Sequence, residues 1–235
     1  MDALTTLAED PQRAAILLDV DGVLAPIVPR PEDARVPPET QTELRRLASR
    51  YALVACISGR AEADARRIVG VPELVYVGNH GLDLADGAGE WTERLTAFLA
   101  SVSWPQTEEK GVSAALHFRD VDDQGAARSQ LDAIAARARE AGFFTRYGRK
   151  VLEILPPLDA DKGTAVRQLL RSRSLGRAIY VGDDTTDIDA FRALDGLELG
   201  IKVAVASAES PSELRDEADI VVSTTDDVIA LLRHL

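Results

Sequence analysis

Asp19 and Asp21 stand two positions apart at the end of the apolar run AAILLDV, and Gly22 follows at once. Successive side chains of an extended strand alternate, so two carboxylates at i and i+2 are offered to the same side. Far along the chain a second apolar run ends at Gly182 and is followed by Asp183, Asp184 and Asp187. Collecting these acids in one place is strongly self-repulsive unless a cation sits among them, and oxygen-only donors suit Mg2+. Helix capping, worth about 0.3–1 kcal/mol per charge, accounts for one of the late acids or two, and the surplus favours a metal. Ser58, just past a third apolar run, and Lys162, at a helix start, would each read alone as a cap or a solvated surface group. In the company of the acids they are what a bound phosphoryl group requires, a neutral and a charged donor for its oxygens.

The elements that must bring these residues together are short apolar runs alternating with amphipathic segments. Strands are expected at 14–20, 51–58 and 73–78 and helices at 39–50 and 61–69. The same cadence returns late, with a helix at 162–173, a strand at 177–181, a helix at 186–194, strands at 203–206 and 220–222 and a last helix at 226–234. Near-continuous apolar strands with intervening helices predict an α/β fold, a doubly wound and mostly parallel sheet covered on both faces. Ligands of such sheets bind beyond the carboxyl ends of the strands. There the chain places Asp19, Asp21 and Gly22, then Ser58 and Gly59, then Gly78, Asn79 and His80, then Gly182 to Asp187.

The middle of the chain behaves differently. Helices at 91–102 and 126–141 alternate with a strand at 112–119 and a strand pair at 143–147 and 150–155, with Gly148 suited to the tight connection between the pair. An α+β module spanning 84–159 is therefore expected, inserted into a core made of 1–83 and 160–235.

Composition excludes several classes. With 27 Lys+Arg against 39 Asp+Glu the net charge is -12, a field that opposes phosphate backbones, so nucleic acid is not an expected partner. The single cysteine, Cys56, rules out an internal disulfide framework and, in its apolar run, reads as a buried thiol of a reducing compartment. Glu9 and Asp10 stand where a secretory leader would be basic, and no run approaches the roughly 20 apolar residues that cross a bilayer. A cytoplasmic protein with no membrane partner is the expectation.

The set DVDGVL (19–24), ISGR (57–60), DKGTAV (161–166) and GDDTTDIDAF (182–191) resembles, in order and spacing, the four motifs of the haloacid dehalogenase superfamily of phosphohydrolases. More narrowly, GNHG (78–81), EEKGVSAALHFR (108–119) and GRKVLEILPP (148–157) resemble the trehalose-6-phosphate phosphatases, whose cap is inserted after the third core strand. The resemblance implies that Asp19 attacks phosphorus and forms an aspartyl-phosphate, and that Asp21 serves as acid and then base. It implies that Mg2+ is held by Asp19, the Asp21 carbonyl and Asp183, with Asp187 or Asp184 directly or through water, and that Ser58 and Lys162 bind the phosphoryl group. Gly22, Gly59, Arg60, Asn79 and His80 would line the core side of the substrate, and Glu108, Lys110, His117, Arg119 and Glu153 of the cap would read the sugar. Trehalose 6-phosphate is the implied substrate, and functional coupling to a trehalose-phosphate synthase is compatible with it. Leu155, where the family often has an arginine, removes one charged donor near that sugar.

Two other readings use the same residues. A phosphatase of sucrose phosphate or mannosyl-3-phosphoglycerate shares this kind of core and cap. A receiver-type signalling module also accepts a phosphoryl group on an aspartate beside a hydroxyl and a lysine, but it has no use for an inserted module or for an acid/base at Asp21.

Overall fold

A computed structural model describes residues 3–206 and 210–235. In chain order they form α1 (Ala3–Glu9), β1 (Ala14–Leu18), α2 (Pro38–Arg50), β2 (Leu53–Ile57), α3 (Glu62–Val69) and β3 (Val75–Val77). There follow α4 (Ala88–Leu99), β4 (Thr107–Glu109), β5 (Ala114–His117), α5 (Gln124–Glu140), β6 (Phe144–Gly148) and β7 (Val151–Leu155). The chain then continues with α6 (Lys162–Ser172), β8 (Arg177–Gly182), α7 (Asp187–Arg192), β9 (Leu199–Val205), α8 (Ser212–Asp216), β10 (Ile220–Val222) and α9 (Thr225–Leu232). Two compact units result, one of residues 1–81 and 160–235 and one of 82–159.

The first unit is a parallel sheet of six strands in the order β10-β9-β8-β1-β2-β3. The chain winds outward from β1 through β2 and β3, then restarts beside β1 with β8 and winds the other way. The β1/β8 boundary is thus the switch point at which a crevice opens beyond the strand ends. Strand β1 is apolar throughout and without exposure because it has a neighbour on each side and a layer on each face. Ile16 and Leu18 join Leu44 and Leu47 of α2, Ile68 of α3 and Leu232 of α9 in one core. Leu17 and its register partner Tyr180 alternate to the opposite face, where α7 packs on β8 and α6 on α7. Free Cys56 is buried in β2, as its apolar surroundings require.

The second unit is an antiparallel sheet in the order β4-β5-β7-β6, with one face closed by α4 and α5. Ala114, Leu116, Leu152 and Ile154 point into that core with Leu95, Leu131 and Ile134. Residues one step out of phase, including Glu108, Ala115, Arg146 and Glu153, line the other face in one row across all the strands. In the β6–β7 hairpin Gly148 is a paired strand residue facing Val151. The left-handed φ of the turn, +61°, falls on Lys150. The expectation that Gly148 makes the connection is corrected: the paired register shifts the turn by a residue, and a lysine takes the strained position. Among the described residues no helix is long and apolar enough to cross a membrane.

Because β1 lies at the centre of the sheet, truncation there should be felt by the whole unit. Ile16→Ala should lower unfolding stability by about 2–5 kcal/mol, whereas Ile27→Ala, at a side chain 71% exposed, should change it by less than ~0.5 kcal/mol. Denaturant titration of both variants checks this, and equal effects would contradict the placement of β1.

Candidate functional site

The carboxyl edge of the central strands is built by a few local devices. The in-register pairing of Leu18 with both Cys56 and Val181 brings the residues after β1, β2 and β8 to one edge. Asp19 N donates to Val181 O (3.0 Å), extending the β1–β8 ladder through the functional residue. Gly22 has a φ of +73°, and any Cβ there would overlap the Asp183 carboxylate. Glycine thus lets the loop after β1 close against the loop after β8.

Lys162 is placed by the start of its helix. Asp161 and Thr164 form a capping box, with Thr164 N donating to Asp161 Oδ1 (2.6 Å) and Asp161 N to Thr164 Oγ1 (2.8 Å), which fixes Lys162 as the first helical residue. At Gly163 a Cβ would overlap the Asp189 carbonyl, so the backbones of α6 and α7 come close enough for Lys162 to meet Asp187. The Lys162 ammonium is buried and donates to Asp19 Oδ2 (2.6 Å) and to Asp187 Oδ1 (2.7 Å).

Asp187 is fully buried and accepts four hydrogen bonds: Lys162 Nζ and Tyr180 OH (2.7 Å) on Oδ1, and the amides of Asp183 (2.9 Å) and Asp184 (3.0 Å) on Oδ2. A carboxylate offers about four acceptor positions, so all of them are used. Asp19, Asp183 and Asp187 bring their oxygens within 4.8 Å of one another, an all-oxygen cluster in which Asp19 and Asp183 keep acceptor positions that a hard divalent cation could take while those of Asp187 are filled. Asp184 is exposed and its Oδ1 accepts from the amide of Thr185 (2.6 Å).

Charge in this pocket is out of balance. Burial, with Asp187 adding to it and Lys162 opposing it, pushes the Asp19 carboxyl up to about 7. Burial and then the charges of Asp19 and Asp187 push Asp183 up to about 8. Burial by itself would lower the Lys162 ammonium, but Asp19 and Asp187 outweigh it and hold its pKa above the ordinary value. One cation thus faces three carboxylates, and a divalent ion would supply the missing charge. The donor set fits it.

A second cluster surrounds Asp21. Arg60 forks onto it, with Nε donating to Oδ2 (2.6 Å) and Nη2 to Oδ1 (2.8 Å), while its Nη1 donates to Asp64 Oδ2 (2.7 Å). Arg60, one of the expected substrate groups, pairs here with Asp21, because the planar guanidinium matches a carboxylate two bonds at a time. Buried Ser58 accepts from Arg60 N (3.2 Å) through its hydroxyl. The following loop is stitched to this turn: Asn79 N donates to Arg60 O and His80 N to Ser58 O, both at 2.9 Å. Asn79 and His80 both adopt left-handed φ, 52° and 55°, strain of the kind that gathers at functional loops. The His80 ring lies on Gly59, where a Cβ would overlap it.

In the second unit, the Glu108 carboxylate lies 3.0 Å from His117 Nε2, from which it accepts in the tautomer that carries the hydrogen there, and 3.8 Å from Lys110 Nζ. Glu153 pairs with Arg146. Arg119 is exposed in the turn past β5, apart from this row. Tyr180 and Arg146 are site residues that sequence reasoning passed over, the first because it looks like any strand residue, the second because a charged residue on a strand edge is ordinarily solvated.

The family model described as trehalose-phosphatase matches residues 17–107 and 104–222. The chain belongs to the trehalose-phosphatase family. It is 36% identical over 207 residues to the trehalose-phosphate phosphatase of Mycobacterium avium, covering 77% of this chain and 51% of that protein. It is 29% identical over 257 residues to the probable trehalose-phosphate phosphatase 2 of Oryza sativa, covering 89% of this chain and 66% of that one. The chain thus spans about half to two thirds of the length of these relatives. The Aspergillus fumigatus trehalose-6-phosphate phosphatase structure superposes with a TM-score of 0.61 at 24% identity, covering 99% of this chain and 96% of that one. A haloacid dehalogenase-like hydrolase from Bacteroides thetaiotaomicron superposes with a TM-score of 0.60 at 14% identity, covering 95% of this chain and 100% of that one. The doubly wound fold is the haloacid dehalogenase fold.

The raised carboxyls make a pH prediction with a definite sign. Relative to the unfolded carboxyl value of 3.8, Asp19 near 7 and Asp183 near 8 hold protons in the folded state that the unfolded chain has released. Their stabilising proton uptake is complete below pH 3.8 and is lost as pH rises through 7 to 8. In chelator, the melting temperature should therefore fall between pH 5 and pH 8.5, and added Mg2+ should raise it more at pH 8.5 than at pH 5. A melting temperature that ignores Mg2+ at both values would contradict a metal at this cluster.

Proposed function

We propose that the protein is a Mg2+-dependent phosphatase that hydrolyses trehalose 6-phosphate to trehalose and phosphate. The observation that carries this reading is the buried contact of Lys162 with Asp19 and Asp187 at the switch point of the sheet, in a chain of the trehalose-phosphatase family.

Asp19 is the proposed nucleophile. Its Oδ1 accepts from its neighbour's amide, Val20 N (2.7 Å), and its Oδ2 from Lys162, so the carboxylate is held by its own loop and by α6 while a lone pair remains on each oxygen. Attack forms an oxygen–phosphorus bond to Asp19 as the bond from phosphorus to the sugar oxygen breaks. Asp21 gives a proton to the departing alkoxide from its protonated form, with one oxygen carrying that proton in place of an Arg60 bond and the other still held by the guanidinium. It then takes one from the water that attacks phosphorus and frees the Asp19 carboxylate. Lys162 and Ser58 donate to the phosphoryl oxygens. Asp19, Asp183 and the Asp21 carbonyl would hold Mg2+, and the ion would supply neutralising charge for a phosphoryl group that the net charge of -12 otherwise repels. Asp187, whose acceptor positions are filled, acts at one remove through Lys162, and exposed Asp184 lies outside the ligand set.

The open face of the second unit carries the sugar-reading groups in this proposal. Glu108, Lys110, His117 and Glu153 together offer both donors and acceptors, as hydroxyls require, and Arg146 beside Glu153 adds a guanidinium to the row. A trehalose-phosphate synthase is the kind of enzyme that would supply the substrate.

Phosphate release from trehalose 6-phosphate, sucrose 6-phosphate and glucose 6-phosphate, with and without Mg2+, tests this directly. A clear preference for the trehalose ester and silence in chelator are expected; equal turnover of all esters would defeat the assignment. Asp19→Asn should lower kcat at least ~10³-fold with the fold intact by circular dichroism. Glu153→Ala should raise KM for the sugar ester roughly tenfold while leaving a small aryl phosphate almost untouched. Equal losses on both substrates would make Glu153 a structural residue.

A further inference from the structure

We propose that Tyr180 is a positioning residue for catalysis, acting through Asp187 to keep Lys162 bridged between Asp187 and Asp19. The proposal rests on the phosphatase reading of the core site but not on the identity of the sugar.

Tyr180 is a β8 residue with no exposure, and among the largest fully buried side chains. Its ring is fixed edge-on against Phe191 of α7, with centroids 6.0 Å apart and planes at 81°. That leaves the hydroxyl one direction to take, and it donates to Asp187 Oδ1 at 2.7 Å. The same oxygen accepts from Lys162 Nζ at 2.7 Å, so phenol and ammonium share it. Burial, with the charges of Asp187 and Asp19 behind it, keeps the phenol well above its ordinary pKa, so it stays a neutral donor.

The sharing has a consequence for Lys162. Its ammonium lies between two carboxylates, 2.6 Å from Asp19 Oδ2 and 2.7 Å from Asp187 Oδ1. Which one holds it more tightly depends on how well each is satisfied by other donors. Asp187 is the better satisfied, with Tyr180 on one oxygen and the amides of Asp183 and Asp184 on the other. Its carboxylate fills the space over Gly182 where a Cβ would stand, and the two amides hold its Oδ2 in place. Without the phenol, Oδ1 keeps only Lys162 as donor. The ammonium is then drawn toward Asp187 and away from Asp19, where the phosphoryl group is transferred.

The test is Tyr180→Phe, which removes one oxygen and leaves the ring against Phe191. It is assayed on trehalose 6-phosphate and on a small aryl phosphate, beside Asp187→Asn and the double variant. Expected is a fall in kcat of about tenfold on both esters, with KM within about twofold. Mg2+ affinity by calorimetry should stay within about twofold, because no proposed metal ligand is touched. The double variant should be no slower than Asp187→Asn alone, since Tyr180 acts only through that residue. The proposal is overturned if Tyr180→Phe keeps wild-type kcat, if the loss lies in KM, if Mg2+ affinity falls in step with kcat, or if the two substitutions multiply. Wild-type protein inert on both esters would remove the phosphatase reading itself, a result distinct from any of these.

Discussion

Two buried carboxylates, Asp19 and Asp187, a half-buried third, Asp183, and one buried ammonium beyond two neighbouring strands form the interaction on which the rest depends. Two like charges about 4 Å apart repel by about 4 kcal/mol at an effective dielectric of 20, and burial adds desolvation to that repulsion. Lys162 relieves Asp19 and Asp187 directly, while Asp183, which no ammonium of the described residues pairs with, is pushed up to about 8. The site thus stores a demand for positive charge that a divalent ion would meet, in a chain whose overall field is negative.

The fold meets the demand by fixing backbone where side chains must not wander. The parallel ladder continues into Asp19, the capping box of α6 sets the start of Lys162, and two amides at the entrance of α7 hold Asp187. Glycines at 22, 163 and 182 are the positions where loops or helices meet too closely for a Cβ. Preorganisation of this kind is what lets charged groups act without reorganising during the reaction. Asp21 is treated differently. It lies at the partly exposed edge of the pocket and is held by the two-bond fork of Arg60, which also reaches Asp64.

Much of this was legible in the residues. Continuous apolar runs located the central strands, and the ligand rule for parallel sheets pointed to Asp19, Ser58, Lys162 and Asp183 as one neighbourhood. What was missed has physical reasons. Strand β4, TEE, carries no apolar residue and pairs only because β5 offers its edge. Strand β9 begins at Leu199, earlier than its apolar run suggests, because β8 extends it through Gly200. Tyr180 is indistinguishable by type from the apolar residues around it until its register and its hydroxyl partner are known. The part played by Asp187 turns on how many donors already surround it, which spacing along the chain does not encode.

The central claim is that phosphate leaves its sugar by way of Asp19. Rapid acid quenching of the enzyme with Mg2+ and phosphorus-32-labelled sugar phosphate captures such an intermediate. The account predicts label on the peptide that contains Asp19, stable in acid, released by hydroxylamine, and formed no more slowly than steady-state turnover. Phosphate release at full rate with unlabelled protein, or label on a peptide without Asp19, would contradict it.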